Sequence, residues 1–169
     1  MTDLHELYRD LHRHPELSFQ EERTAGILSG RLRTLGFDTT TGVGRTGVVG
    51  VLRNGDGPTA LLRADMDALP MQEKTGLPYA SARRGVDHNG HDVDIFHACG
   101  HDIHVTCLIG AAGERAKRHG GDGQAALTGI ARLRSSITGW RERNELPRSP
   151  SSVRLVTVIR FEKSPDAMR

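Results

Sequence analysis

The hydrophobic period of this chain changes at Gly36, and that change limits it to a fold mixing helices with strands. Before Gly36 apolar residues recur at helical spacing, first as Leu4, Leu7, Tyr8 and Leu11, then as Ile27, Leu28, Leu32 and Leu35. The first run stops at His14-Pro15, because Pro has no N–H to extend a helix. Ser18 and Glu21 stand at capping-box spacing ahead of the second run, and Gly36 is placed to end it. Beyond Gly36, residues 46–52 and 59–64 read as strands, with Asn54-Gly55-Asp56-Gly57 as the turn between them. A third helix is expected to start near His101, with Val105, Leu108 and Ile109 on its inner face. Helices alternating with strands around one core define the α/β class, and the strands are expected to be largely parallel.

Composition sets limits on this picture. Aromatic residues make up only 4% of the 169, so a core must rest on Leu, Val, Ile and Ala. No run of eighteen apolar residues occurs, and no membrane span is expected. The N-terminus is charged and lacks an apolar signal segment, which points to a cytoplasmic protein. Cys99 and Cys107 are the only cysteines, too few for a disulfide framework and suited to a reducing compartment.

Charge divides the chain in two. Residues 1–112 hold 11 Lys and Arg against 15 Asp and Glu, a balance of −4. Residues 113–169 hold 12 against 6, a balance of +6, and only one of the nine histidines. The first part is expected to be a domain and the second a basic tail that packs poorly. Within the tail, residues 125–133 read as a short helix, 146–150 as a linker and 153–161 as a strand. A nucleic-acid arm would suit that charge, but Trp140 and Phe161 are its only aromatics, so a nucleic-acid partner is not expected.

Two stretches carry groups able to do chemistry. The strand over 59–64 runs directly into Asp65-Met66-Asp67-Ala68-Leu69-Pro70. Ligands of open α/β sheets gather at the carboxyl ends of strands, so these carboxylates are either site residues or ordinary turn residues. The second stretch is His97-Ala98-Cys99-Gly100-His101-Asp102-Ile103-His104, and five of nine histidines lie between His88 and His104. Thiolate, imidazole and carboxylate together suit a borderline-soft divalent metal. Gly100 allows the turn that lets Cys99 and His101 reach one point, and His101 and His104 should share a helix face. Taken singly, each histidine is equally a hydrogen-bonded core residue and each cysteine a small buried hydrophobe. His12 and His14 read as solvated helix-end residues without a chemical role.

Leu11-His12-Arg13-His14-Pro15-Glu16-Leu17-Ser18-Phe19-Gln20-Glu21, Leu62-Arg63-Ala64-Asp65-Met66-Asp67-Ala68-Leu69-Pro70 and His97-Ala98-Cys99-Gly100-His101-Asp102 follow one another in that order. Over about residues 4–112 the chain resembles the peptidase M20 family, in the amidohydrolase branch of hippurate hydrolases, N-acyl amino acid deacylases and auxin-conjugate hydrolases. The resemblance implies part of a zinc-exopeptidase-like α/β catalytic domain, without the lid domain through which the family forms homodimers. It implies two divalent metal ions, among which Zn, Mn, Co and Ni are not distinguished, and a small N-acyl amino acid as substrate. Cys99 and His101 take the places of metal ligands, and Asp67 that of the catalytic carboxylate that orients or polarises the site. Asp65 stands where related branches carry a metal-binding His, and no role is implied for Asp102 or His104. The family's general base comes from a Gln-Pro-Ala-Glu-Glu element soon after the third helix, whereas no Glu-Glu pair follows Glu21-Glu22 here and the only histidine after His104 is His119. The expectation is therefore an N-terminal piece with weak or no activity, its tail either the product of a frameshift or a divergent domain. The alternative is a non-catalytic metal-binding remnant or interaction module.

Overall fold

The computed structural model describes residues 3–53, 59–117 and 124–130. Helices α1 (Leu4–Arg13) and α2 (Glu22–Thr34) precede strands β1 (Asp38–Val43), β2 (Gly47–Leu52) and β3 (Thr59–Asp65). A small hairpin, β4 (Arg84–Val86) and β5 (Asp92–Asp94), leads to α3 (His101–Lys117) and β6 (Gln124–Ile130). Both N-terminal helices, β2, β3 and the start of α3 fall where the periodicity places them. The basic segment does not fall as expected, since residues 113–117 complete α3 and residues 124–130 form a strand.

That strand is central. The main sheet has the order β1-β2-β6-β3, with β6 antiparallel to β2 and parallel to β3. The expected helix over 125–133 is therefore corrected to β6 over its described part. Seven backbone units paired with β3, five of them also with β2, outweigh the modest helix propensity of Ala and Leu. The sheet is mixed rather than largely parallel, because β1 and β2 form an antiparallel hairpin and only β3 and β6 run together. The expected turn over 54–57, the linker and the strand over 153–161 lie outside the described residues.

Helices α2 and α3 pack on the sheet, and α1 packs against α3. Leu11, Leu28, Leu32, Val48, Met66 and Val105 have no exposed surface, and they form one cluster with Phe37 and Leu108. Gly50 of β2 lies so close beneath α2 that an added Cβ would sit 2.9 Å from Leu32 Cδ1 and 3.5 Å from Phe37 Cβ. The absence of a side chain there is what lets helix and strand approach.

Capping of α2 differs from the expected Ser18–Glu21 box. Glu16 supplies the cap, its carboxylate accepting from the Arg23 N–H at 2.9 Å and the Thr24 N–H at 2.8 Å. Glu21 instead turns inward with no exposed surface, and Thr46 Oγ1 donates to its Oε2 at 2.6 Å. Its other oxygen is buried without a hydrogen-bond partner. Burial pushes the Glu21 carboxyl up to about 7, against the opposing hydrogen bond from Thr46. Nearby, Phe19 and Arg45 hold positive φ values of 65° and 96°, and the Arg45 guanidinium lies 5.3 Å over the Phe19 ring. The α2 entry and the β1–β2 turn are thus tied together by a buried hydrogen bond and a cation–π contact.

Two predictions follow from this packing. Gly50→Ala should destabilise the fold by about 1–3 kcal/mol through overpacking, and Leu32→Ala by about 2–5 kcal/mol through cavity formation. In denaturant melts the double variant should lose clearly less than the two losses combined, and strict additivity would show that Gly50 and Leu32 do not meet. Glu21 has a folded pKa above its unfolded one, so its neutral form contributes fully below the ordinary carboxyl range and that contribution fades as pH rises through about 7. The stability advantage of Glu21→Gln over wild type should therefore grow by on the order of 3 kcal/mol between about pH 4 and about pH 8. An advantage that does not change with pH would mean that Glu21 ionises freely.

Candidate metal centre

Strand β3 ends at Asp65, and the chain then loses extended geometry. Ala68 N–H donates to Glu16 O at 2.8 Å, while Leu69 and Phe96 exchange a pair of 3.0 Å backbone hydrogen bonds. Residues 66–69 are thereby fixed between the α1–α2 connection and the approach to α3. Leu17, Ala68 and Ile95 form a second apolar cluster beneath this junction. The carboxylates at the strand end and the His-rich loop thus arrive at the same place.

Asp67 and His101, 34 residues apart, meet there. His101 Nδ1 lies 2.7 Å from the Asp67 carbonyl oxygen and 3.0 Å from Asp67 Oδ1. Two acceptors on one ring nitrogen assign the proton to Nδ1 and leave the lone pair at Nε2. The hydrogen bond that His101 donates to Asp67 raises its pKa, burial works against it, and Asp65 adds to the rise. Asp65 itself pairs with the Arg63 guanidinium. Cys99 is exposed, as is Cys107, so neither is the small buried hydrophobe of the alternative reading, and neither forms a disulfide. Gly100 has φ 73°, the left-handed turn that separates Cys99 from the first residue of α3. The His101 and His104 rings lie 5.4 Å apart on one helix face, as their spacing requires.

The surroundings hold charged and polar groups that the sequence reading passed over. His12 is buried, which corrects its assignment as a solvated helix-end residue, whereas His14 is half-exposed and donates from Nδ1 to Asp10 O. His12 Nδ1 donates to Asp102 Oδ2 at 2.6 Å, and Nε2 donates to Glu73 Oε1 at 3.1 Å. Burial disfavours the charged ring, yet the hydrogen bonds to the two carboxylates together raise its pKa. One signal was available: Leu4, Tyr8 and His12 form an i, i+4, i+8 row on the buried side of α1. His97 is buried with neither ring nitrogen partnered, and burial lowers its pKa to about 4. A groove of about 450 Å³ lies between α2 and the β1–β2 turn, but Asp67, Cys99 and His101 do not line it. Among the described residues no group of three or more His, Cys, Asp or Glu is placed to hold a metal ion. Among them, too, no helix is long and apolar enough to cross a membrane.

Comparison with known proteins returns mainly hydrolases and peptidases. Residues 61–124 match the model of peptidase family M20/M25/M40. A probable hydrolase of Synechocystis is 48% identical over 109 residues, covering 63% of this chain and 25% of its relative. A hippurate hydrolase of Campylobacter jejuni is 42% identical, with 65% and 27% covered. An N-acetyl-L-cysteine deacetylase of Bacillus subtilis is 44% identical, with 62% and 23% covered. Among solved structures, a dinuclear metal-binding M20 peptidase of Bacillus subtilis superposes with a TM-score of 0.64 at 37% identity, covering 74% of this chain and 33% of that one. The chain spans about a quarter of the length of the curated relatives it matches. Through the stretch that these comparisons share, the chain is similar to members of the peptidase M20 family.

Proposed function

We propose that this chain carries part of the metal site of an M20 amidohydrolase whose substrates are N-acyl amino acids, hydrolysed at the amide bond. The observation that carries the reading is the His101 ring, held by Asp67 through Nδ1 with Nε2 left for a metal, two residues from the exposed thiol of Cys99. A carboxylate behind a ligating imidazole is the arrangement that fixes its tautomer and raises its basicity. Cys99 and His101 are assigned as ligands, and their donor chemistry fits a borderline-soft divalent ion. The relatives named hippurate hydrolase and N-acetyl-L-cysteine deacetylase support the substrate class.

A bound metal supplies polarisation of the amide carbonyl and a lowered pKa for water. This chain's own contribution is orientation: the Asp67 carboxylate and carbonyl hold the Nδ1 proton of His101, and Gly100 sets the turn between the two donors. General-base catalysis is worth typically about 10²–10⁴-fold, and the Glu-Glu pair that carries it in the family has no counterpart after Glu21-Glu22. A second reading, a metal-binding remnant without turnover, draws support from the two-donor set, because catalytic zinc-type sites use three protein ligands and water.

Both readings predict metal binding. Titration of the purified chain with Co²⁺ should give weak binding with a thiolate-to-metal absorption band, abolished by Cys99→Ala and by chelator. A band that persists in Cys99→Ala would remove Cys99 from the site. Asp67→Asn should keep the fold and weaken Co²⁺ binding by about 10–100-fold; unchanged affinity would leave Asp67 without an orienting role. Hydrolysis of hippurate is expected to be slow or absent. Robust turnover sensitive to Cys99→Ala would decide for the enzyme and against the remnant.

A further inference from the structure

His12 is a buried, doubly hydrogen-bonded side chain outside the Asp67–His101 pair, and nothing in the proposed chemistry uses it. It sits on α1, 90 residues from Asp102 and 61 from Glu73, and reaches both. Its own side chain and those of Glu73 and Asp102 are almost wholly removed from solvent. The Tyr79 and Phe96 rings meet the imidazole edge-to-face at 5.4 Å and 5.7 Å, and Tyr8 lies tilted at 5.6 Å. A ring enclosed in this way has one orientation open to it.

The partner that matters is Asp102, the second residue of α3 and the neighbour of His101. Its Oδ2 accepts from His12, its Oδ1 accepts from the Ile103 N–H at 2.9 Å, and its carbonyl accepts from the Thr106 hydroxyl at 2.8 Å. The first turn of α3 is thereby clamped through one carboxylate, and that turn also carries His101. Glu73 is held separately, by the Ser81 N–H at 2.5 Å and by the Thr75 hydroxyl. The two hydrogen bonds of His12 therefore have different destinations: one secures the start of α3, the other a surface loop.

We propose that His12 is a positioning residue for the metal-site histidine, acting through Asp102 to set the rotation of the first turn of α3 and so the approach of His101 Nδ1 to Asp67. The Glu73 bond anchors the loop and leaves His101 unaffected. The inference rests on the reading of His101 as a ligand only for its functional meaning, and its test does not require a bound metal.

The two bonds separate by substitution. The amide of Asn reaches the position of Nδ1 and that of Gln the position of Nε2, so His12→Asn keeps a donor for Asp102 and His12→Gln keeps one for Glu73. Asp102→Asn breaks the α3 bond from the other side, and Glu73→Gln alters only the loop side. ¹⁵N-detected imidazole NMR of the metal-free chain, at a pH where His101 is neutral, reads its tautomer directly. Wild type, His12→Asn and Glu73→Gln should show His101 as the single Nδ1–H tautomer, while His12→Gln and Asp102→Asn should show a tautomer mixture. In Co²⁺ titrations the same two variants should lose about 10–100-fold in affinity. A single Nδ1–H tautomer in folded His12→Gln or Asp102→Asn would overturn the proposal. Unfolding of both would overturn it too, by making the bond a requirement of folding alone. Wild type showing the tautomer pattern without binding Co²⁺ would sink the metal reading and leave the positioning role standing.

Discussion

Strands β2 and β3 are not hydrogen-bonded neighbours; β6 lies between them and pairs with both. Backbone N–H and C=O groups are obligatory hydrogen-bonding groups, costly to leave unpaired away from water. In the order β1-β2-β6-β3, β6 pairs through five residues with the edge of the hairpin and through seven with the inner edge of the strand that leads to Asp65. The register sets Val48 opposite Gly129 and Asp65 opposite Ile130, so the start of β2 and the end of β3 lie at one end of the sheet. The β1–β2 turn, with Thr46 against Glu21, is thus brought to the same end as Asp67. The family match ends at residue 124, where this strand begins.

Apolar packing holds the helices to the sheet, but polar groups decide how the site end is arranged. Glu16 caps α2 and its carbonyl accepts from Ala68, Glu21 reaches Thr46, and His12 reaches Asp102. Such contacts join segments distant in sequence, and removing one partner strands the other in a poorly solvated place. Their net stabilisation is small beside that of the Leu-rich core. What they contribute is a single arrangement at the end of the sheet where Asp67 meets His101.

Much of this was legible in the sequence, and the failures share a cause. The three helices announce themselves by an apolar face of helical period, and strands β2 and β3 by short apolar runs. β1, Asp-Thr-Thr-Thr-Gly-Val, is mostly exposed and has no such face; only its antiparallel pairing with β2 makes it a strand. β6 was misread because its identity comes from two neighbours rather than from its own composition. The nearness of Asp67 to His101 was implied by strand-end geometry together with the family motifs. The burial of His12 and Glu21 was not, since a polar residue beside a helix end usually faces water, and only the tertiary partner reverses that preference.

Gly100 separates Cys99 and His101, the proposed donors, with a backbone of φ 73°. A side chain can be exchanged for another of similar reach, but a left-handed residue between them is a property of neither donor. The spacing of sulfur and imidazole is consequently stored in the main chain. An ordinary residue at position 100 would alter the relation between Cys99 and His101 while leaving both in place, and lengthening either side chain could not restore it.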